Sequence, residues 1–298
     1  MFTVSGSDLY LWRQVAIEKA IANEIDIQEV DWLLQEVTNL DSLALRLESF
    51  QNLSQVAVAY SLVELTQLWQ QRTDNYLPVQ YLVGKSNWRN WQLAVSPAVL
   101  IPRPETELIV EIVQKAMQSG ELKLDSRSHL VDLGTGSGAI AIALADSFPQ
   151  AQVHGVDLSQ EALIVAKQNA ATAQLTDNIT FYQGSWWNPL AHLQDKVSAM
   201  VANPPYIPSA ELPKLQPEVF RHEPHLALDG GTDGLDAIRH LVKTAPQYLK
   251  SEGLWLIELM AGQASAVMDL LSLQGDYHSI RAVKDLAQIE RFVLAFRN

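Results

Sequence analysis

The sequence predicts an α/β protein: a mostly parallel, seven-stranded sheet preceded by a small all-helical domain and a β-hairpin linker. Three observations carry that prediction. From His129 onward, short apolar runs alternate with helical periods, the pattern of strands joined by helical crossovers. Residues 7 to 75 repeat apolar side chains at helical spacing and contain neither glycine nor proline. Between the two regions, Pro78 to Pro104 alternates with a two-residue period and is dense in turn residues.

Length and composition set the outer bounds. With 298 residues, 48% hydrophobic and 18% charged, the chain can bury a large core and shows no sign of disorder. The absence of cysteine excludes a disulfide framework, thiol catalysis and a cysteine metal site. Met1 to Arg13 lacks a basic start followed by an apolar core, and the longest apolar run, Ala139 to Ala145, is far too short to span a bilayer. A soluble, cytoplasmic protein is expected. The 21 Lys and Arg against 34 Asp and Glu give a net charge of −13, with no basic cluster of five or more. Polynucleotide binders need a cationic footprint to displace counterions, so direct nucleic-acid binding is not expected.

Taken in order, the helical domain spans 1–75. Its apolar positions run through Leu9, Trp12, Val15 and Ala16, then Val30 to Val37, then Leu43 to Leu53, and last from Val56 to Trp69. That spacing suggests four or five short helices with their tryptophans in the core. The linker, 76–103, pairs Val79–Gly84 with Trp91–Val95 as the two arms of a hairpin. The third domain, 104–298, starts a helix at Pro104, with Glu105 and Glu107 suited to its positive N-terminal end. Its strands are His129–Leu133, Gln152–Val156, Ile179–Tyr182, Val197–Ala202, Leu254–Glu258, Ser279–Val283 and Arg291–Phe296. Its helices are Ala139–Ser147, Gln160–Thr172, Leu235–Tyr248 and Gln263–Leu273.

Chemistry concentrates at the carboxyl ends of the first four strands. The first runs into Gly134-Thr135-Gly136-Ser137-Gly138, where glycines let the backbone turn sharply and approach a ligand. The G-x-G-x-G spacing is not the dinucleotide fingerprint. The second strand leads to Asp157, an acid able to accept hydrogen bonds from two ribose hydroxyls. Loop and acid together form a nucleoside-binding arrangement. After the third strand, Trp186 has two readings, a flank for an adenine ring or simple core filling. No histidine sits in a motif that demands catalysis, so His154, His222 and His225 are read as structural, and no metal is expected.

The fourth strand ends in Asn203-Pro204-Pro205-Tyr206. Two prolines cannot continue a sheet, so the chain must leave it where open α/β sheets place their ligand crevices. The tetrapeptide presents an amide, carbonyls that accept without donating, and a flat ring, a set suited to a planar, neutral NH2 group.

Gly134–Gly138, Asp157 and Asn203-Pro204-Pro205-Tyr206 together resemble a class I, Rossmann-like S-adenosylmethionine-dependent methyltransferase acting on an NH2 nitrogen. Ile101-Pro102-Arg103-Pro104-Glu105-Thr106-Glu107 upstream and Arg221-His222-Glu223-Pro224-His225-Leu226-Ala227-Leu228 downstream narrow the resemblance to the bacterial peptide chain release factor N5-glutamine methyltransferase (PrmC/HemK) family, over essentially the whole chain. The resemblance implies S-adenosylmethionine as methyl donor and S-adenosylhomocysteine as product. It implies cofactor contacts from Gly134, Thr135, Gly136, Ser137, Gly138, Asp157, Trp186 and Asn203, and a glutamine held by Asn203, Pro204, Pro205 and Tyr206, which form the catalytic set. The partner implied is a release factor whose methylation tunes translation termination, recognised by the helical domain of a monomeric enzyme. Two positions depart from the family pattern, His222 in place of phenylalanine and Ser185 in place of an acid. A ribosomal protein glutamine methyltransferase and a DNA or RNA base N-methyltransferase share the tetrapeptide and stand as the alternatives.

Overall fold

Ser5 opens the first helix by accepting the Asp8 backbone N–H at 3.0 Å, and the computed structural model, which describes residues 1–298, builds outward from such local stops and starts. It divides the chain into two compact units, Met1–Gly84 with Gln216–His222, and Lys85–Leu215 with Glu223–Asn298.

The first unit holds β1 (Phe2–Val4), α1 (Gly6–Ala22), α2 (Gln28–Val37), α3 (Ser42–Arg46), β2 (Val56–Val58), α4 (Leu62–Asn75) and α5 (Val79–Val83). Leu9, Leu33, Leu34, Phe50, Leu65 and Trp69 form its buried centre, with Trp12 and Trp32 packed against it. Trp69 is a core side chain that donates from its indole to the Ala16 carbonyl at 3.1 Å, whereas Trp12 and Trp32 are half-buried at the core's edge. Two buried arginines stitch the helices together: Arg13 pairs with Asp31 at 2.6 Å, and Arg72 with Glu29 at 2.6 Å.

Two expectations need correction here. The domain is not all-helical, because Val56–Val58 pairs antiparallel with Phe2–Val4 and does not continue into the fourth helix. That helix begins only at Leu62, where Ser61 and Glu64 close a capping box. Nor is Val79–Gly84 a strand. Tyr81 and Leu82 donate to the Pro78 carbonyl, making one helical turn that Gly84 ends in the left-handed region at φ 73°. The hairpin is instead β3 (Lys85–Trp88) with β4 (Trp91–Ala94), and it belongs to the second unit.

The second unit continues with α6 (Leu108–Gln118), β5 (His129–Leu133), α7 (Ala139–Ser147), β6 (Gln152–Asp157), α8 (Gln160–Thr172), β7 (Ile179–Gln183) and β8 (Val197–Ala202). The chain then contributes α9 (Pro217–His222) to the first unit, where Glu218 meets Arg72 at 3.3 Å. The second unit resumes through α10 (Asp236–Thr244), β9 (Leu249–Glu258), α11 (Ala264–Gln274), β10 (Tyr277–Lys284) and β11 (Glu290–Arg297). The helix expected over Leu235–Tyr248 stops at Thr244, because Pro246 turns its end into a 3-10 segment.

The sheet order is β10-β11-β9-β8-β5-β6-β7, with β11 the one antiparallel member. Chain order reverses between β5 and β8, so the loops after these two strands diverge and leave a crevice at their carboxyl ends. Its two faces are covered by separate apolar layers, one around Ile109, Ile142 and Leu254, the other around Met200, Leu241 and Trp255. No helix is long and apolar enough to cross a membrane.

Candidate active site

The loop after β5 is held open from beneath. Gly134 and Thr135 both donate to the Val156 carbonyl on β6, at 2.8 and 2.9 Å. The wholly buried Asp132 accepts from the Thr135 hydroxyl at 2.6 Å and the Ala141 N–H at 3.1 Å. Burial pushes the Asp132 carboxyl up to about 7. Gly136 has φ +53° with open space where a side chain would stand, so it leaves its backbone bare toward the crevice. Gly138, at φ +82°, instead allows close packing: a Cβ there would lie 3.1 Å from Ala166 Cβ on α8.

Asp157 ends β6. One carboxylate oxygen accepts the Gly136 N–H at 2.8 Å and the other the Ser159 N–H at 2.9 Å, tying the glycine loop to the next strand end. Burial raises its pKa and these backbone donors pull it back, so the group is a fixed acceptor with lone pairs to spare. Beyond β7, Trp186 adopts φ 50°, rare for a bulky residue, while Trp187 turns inward and stacks on Tyr248 at 4.4 Å. Trp187 is the core side chain of the two, while Trp186 is half-buried, packed against the same core and exposed to the crevice.

These pieces enclose one cavity of about 450 Å³, the size range of small-ligand sites. Gly134, Thr135, Gly136, Ser137, Asp157, Trp186, Asn203 and Pro205 all stand on its wall. Ser185, one of the two departures, is on it as well. Gly138, Pro204 and Tyr206 are not, although each abuts a wall residue. The upstream segment adds Pro102, Arg103 and Thr106, and the downstream segment adds Pro224, Leu226 and Ala227. Arg103 pairs with the buried Glu223 at 2.7 Å, joining these two segments.

Asn203 and Tyr206 converge on a group that the motif does not contain. Asn203 Nδ2 donates to Thr106 Oγ1 at 3.2 Å, and Thr106 Oγ1 donates to Glu258 Oε2 at 2.7 Å. Tyr206 OH donates to the other Glu258 oxygen at 3.1 Å. Glu258 is buried at the end of β9, and that burial raises its pKa. The Tyr206 carbonyl is held from behind by Gln263 Nε2 at 3.0 Å, and Ile207 donates to the Leu228 carbonyl at 3.0 Å. Thr106, Glu258, Gln263 and Arg103 are neighbours of the tetrapeptide or the cavity to which sequence reading gave no individual role, although Arg103 and Thr106 lie in the marked Ile101–Glu107 segment. A usable signal for Glu258 was its charge directly after the apolar run Leu254–Ile257 at the carboxyl end of a strand.

Glu107 caps the hairpin by accepting the Arg89 N–H at 2.9 Å, and neither it nor Glu105 reaches the cavity. His154 is buried against His129 (3.0 Å) and Tyr182, its pKa lowered to about 4 by burial. His222, the second departure, donates to the Asn75 carbonyl at 2.7 Å within the first unit. His225 lies in a 3-10 turn beside the wall residues Leu226 and Ala227.

The donors and acceptors on the wall suit a nucleoside and an amide together. A methyltransferase domain family matches residues 124–280. A release factor glutamine methyltransferase of Synechocystis sp. is 50% identical over 292 residues, 98% of this chain and 97% of its own. The release factor glutamine methyltransferase of Thermosynechococcus vestitus is 43% identical over 98% of this chain and 99% of its own. Among solved structures, a methyltransferase from Pyrococcus furiosus aligns over 80% of this chain and 98% of its own, at 14% identity and a TM-score of 0.51, a likeness of fold.

Proposed function

This chain belongs to the release factor glutamine methyltransferase family, and from that premise we propose that it transfers a methyl group from S-adenosylmethionine to the side-chain amide nitrogen, N5, of a glutamine in peptide chain release factors. The observation that carries the proposal is the shared wall: Asn203 and Pro205 face the same cavity as the glycine loop, Asp157 and Trp186.

The residues fit the methyl donor. A fixed carboxylate, a side-chain-free stretch of backbone at Gly136 and an aromatic wall meet the ribose, the chain and the adenine of such a molecule. When bound, S-adenosylmethionine supplies an electrophilic methyl group on a sulfonium. Asp157 would accept from the ribose hydroxyls through the lone pairs that Gly136 and Ser159 leave free, and Trp186 would flank the base.

The chain's own work is placement. An amide nitrogen is a weak nucleophile because its lone pair is delocalised into the carbonyl. The Asn203 carbonyl oxygen and a proline carbonyl accept its two N–H bonds, which turns the nitrogen's remaining face toward the methyl donor. Orientation of this kind gives effective molarities of roughly 10⁵–10⁸ M in well-aligned systems. The same acceptors stabilise positive charge as it builds on nitrogen. The proton then leaves to water or a carbonyl, so no strong base is needed.

The helical unit is assigned to docking the protein substrate; Leu11, Val15, Leu43, Leu47 and Val63 give it an exposed apolar surface. The deciding experiment incubates the protein with labelled S-adenosylmethionine and, separately, release factors, ribosomal protein and DNA, followed by peptide mass spectrometry. A methyl group on the side-chain amide of one release factor glutamine is the expected result. Label only in ribosomal protein or DNA overturns the proposal.

A further inference from the structure

We propose that Thr106 and Glu258 lock the direction of the Asn203 amide, and that this lock makes the site select a glutamine amide over a glutamate carboxylate. The inference rests on the reading of Asn203 as the acceptor of the substrate amide and adds what enforces it.

A carboxamide has two nearly isosteric ends, one accepting and one donating. On the cavity wall, Asn203 serves as an acceptor only if its NH2 points away, and a flipped side chain would offer two donors instead. The choice is made by counting protons. Thr106 Oγ1 carries one, and with Glu258 held ionised by the two hydroxyls that donate to it and by the nearby charge of Arg291, that proton is committed to Glu258 Oε2 at 2.7 Å. Toward Asn203 the hydroxyl therefore presents only lone pairs, and the partner at 3.2 Å must be the NH2. The direction of Glu258 is set in turn, since its second oxygen accepts from Tyr206 OH at 3.1 Å. All three bonds lie within one unit and join the segment before α6, the exit of β8 and the end of β9. With Oδ1 as the end left for the cavity, a substrate NH2 finds an acceptor and a carboxylate oxygen finds repulsion. Thr106 and Glu258 are positioning residues that act through Asn203.

The chain of bonds also explains Tyr206. Off the cavity wall and hydrogen-bonded to Glu258, it holds the carboxylate that directs Thr106.

The test compares wild type with Thr106→Val and Thr106→Ala, which both remove the hydroxyl, and Thr106→Ser, which restores it. The probes are a release factor with its acceptor glutamine and the same factor carrying glutamate there, used as a competitor. S-adenosylmethionine affinity by calorimetry and a thermal melt establish that each variant is folded. In both hydroxyl-free variants kcat should fall about 10²-fold, the scale of losing one preorganised polar contact at the reacting group. Cofactor affinity should stay within about twofold, and serine should recover most of kcat. The preference for the glutamine factor over the glutamate competitor should shrink by at least about tenfold, the scale of one hydrogen bond to a charged group. Unchanged discrimination in folded Thr106→Val or Thr106→Ala overturns the lock, even if kcat falls, because a merely structural threonine would not alter it. If wild type methylates no release factor glutamine at all, the underlying reading of the site fails instead.

Discussion

Replacing Asp132 with asparagine should stabilise the protein at alkaline pH relative to acid, and the structure sets the scale. Asp132 is fully buried on β5; Oδ2 accepts from Thr135 and Ala141, while Oδ1 is buried without a hydrogen-bond partner. Desolvation, aided by the nearby charge of Asp157, raises its pKa from 3.8 to about 7. A folded-state pKa above the unfolded value means that the stability contribution is complete below pH 3.8 and is lost as pH rises through about 7. The whole displacement corresponds to roughly 4 kcal/mol, and the part falling between pH 4.5 and pH 8 to about 3 kcal/mol. Asparagine can keep both acceptances through its own oxygen and cannot ionise. It places an NH2 where Oδ1 has no partner, at a pH-independent cost of about 1–3 kcal/mol. The assay is urea unfolding of both proteins without ligand at several pH values, taking the difference in unfolding free energy so that other titrating groups cancel. That difference should move in favour of the variant by about 3 kcal/mol between pH 4.5 and pH 8. A difference that stays constant across this range would refute the reasoning.

Three further outcomes are expected. Asp157→Ala removes the acceptor assigned to the ribose and should weaken S-adenosylmethionine binding at least about tenfold in calorimetry; unchanged affinity would remove Asp157 from the ribose. Asn203→Ala should leave that affinity measurable but lower kcat for a release factor substrate by about 10²–10³-fold, and near wild-type turnover would contradict its role. Gly138→Val forces a side chain into a backbone at φ +82° and against Ala166. It should cost about 2–4 kcal/mol of stability, read as a lowered melting temperature.

The sheet was legible because buried parallel strands read as apolar runs between turn signals. All seven strands appear where those runs fall, most within two residues of the expected limits. The largest discrepancy is β9, which begins at Leu249 and not Leu254. Lys250, Ser251 and Glu252 interrupt its apolar pattern because the pairing with β8 slips there and leaves them facing solvent. Val79–Gly84 failed for a different reason. Over five residues a two-residue period and a helical period fit equally well, and the flanking Pro78 and Gly84 decide the outcome. The β1–β2 ribbon was hidden because its arms lie more than fifty positions apart and each is only three residues long.

The site divides along the same line between local and distant information. The glycine loop, Asp157 and the Asn203–Tyr206 tetrapeptide are contiguous motifs whose backbone geometry follows from their own residues, so they could be read directly. The direction of the Asn203 amide could not. It depends on Thr106, 97 positions away, and through Thr106 on Glu258, a further 152 positions along the chain. Both positions lay in stretches the sequence marked, one in the segment before α6 and the other at a strand end, yet nothing local says that they meet. Parallel-sheet topology brings them together: β8 and β9 are neighbours, so their carboxyl ends must emerge side by side, and the segment leading into α6 runs past both. The tetrapeptide thus supplies an acceptor of undetermined direction. The fold, by placing one hydroxyl and one carboxylate behind it, converts that acceptor into a means of telling an amide from an acid.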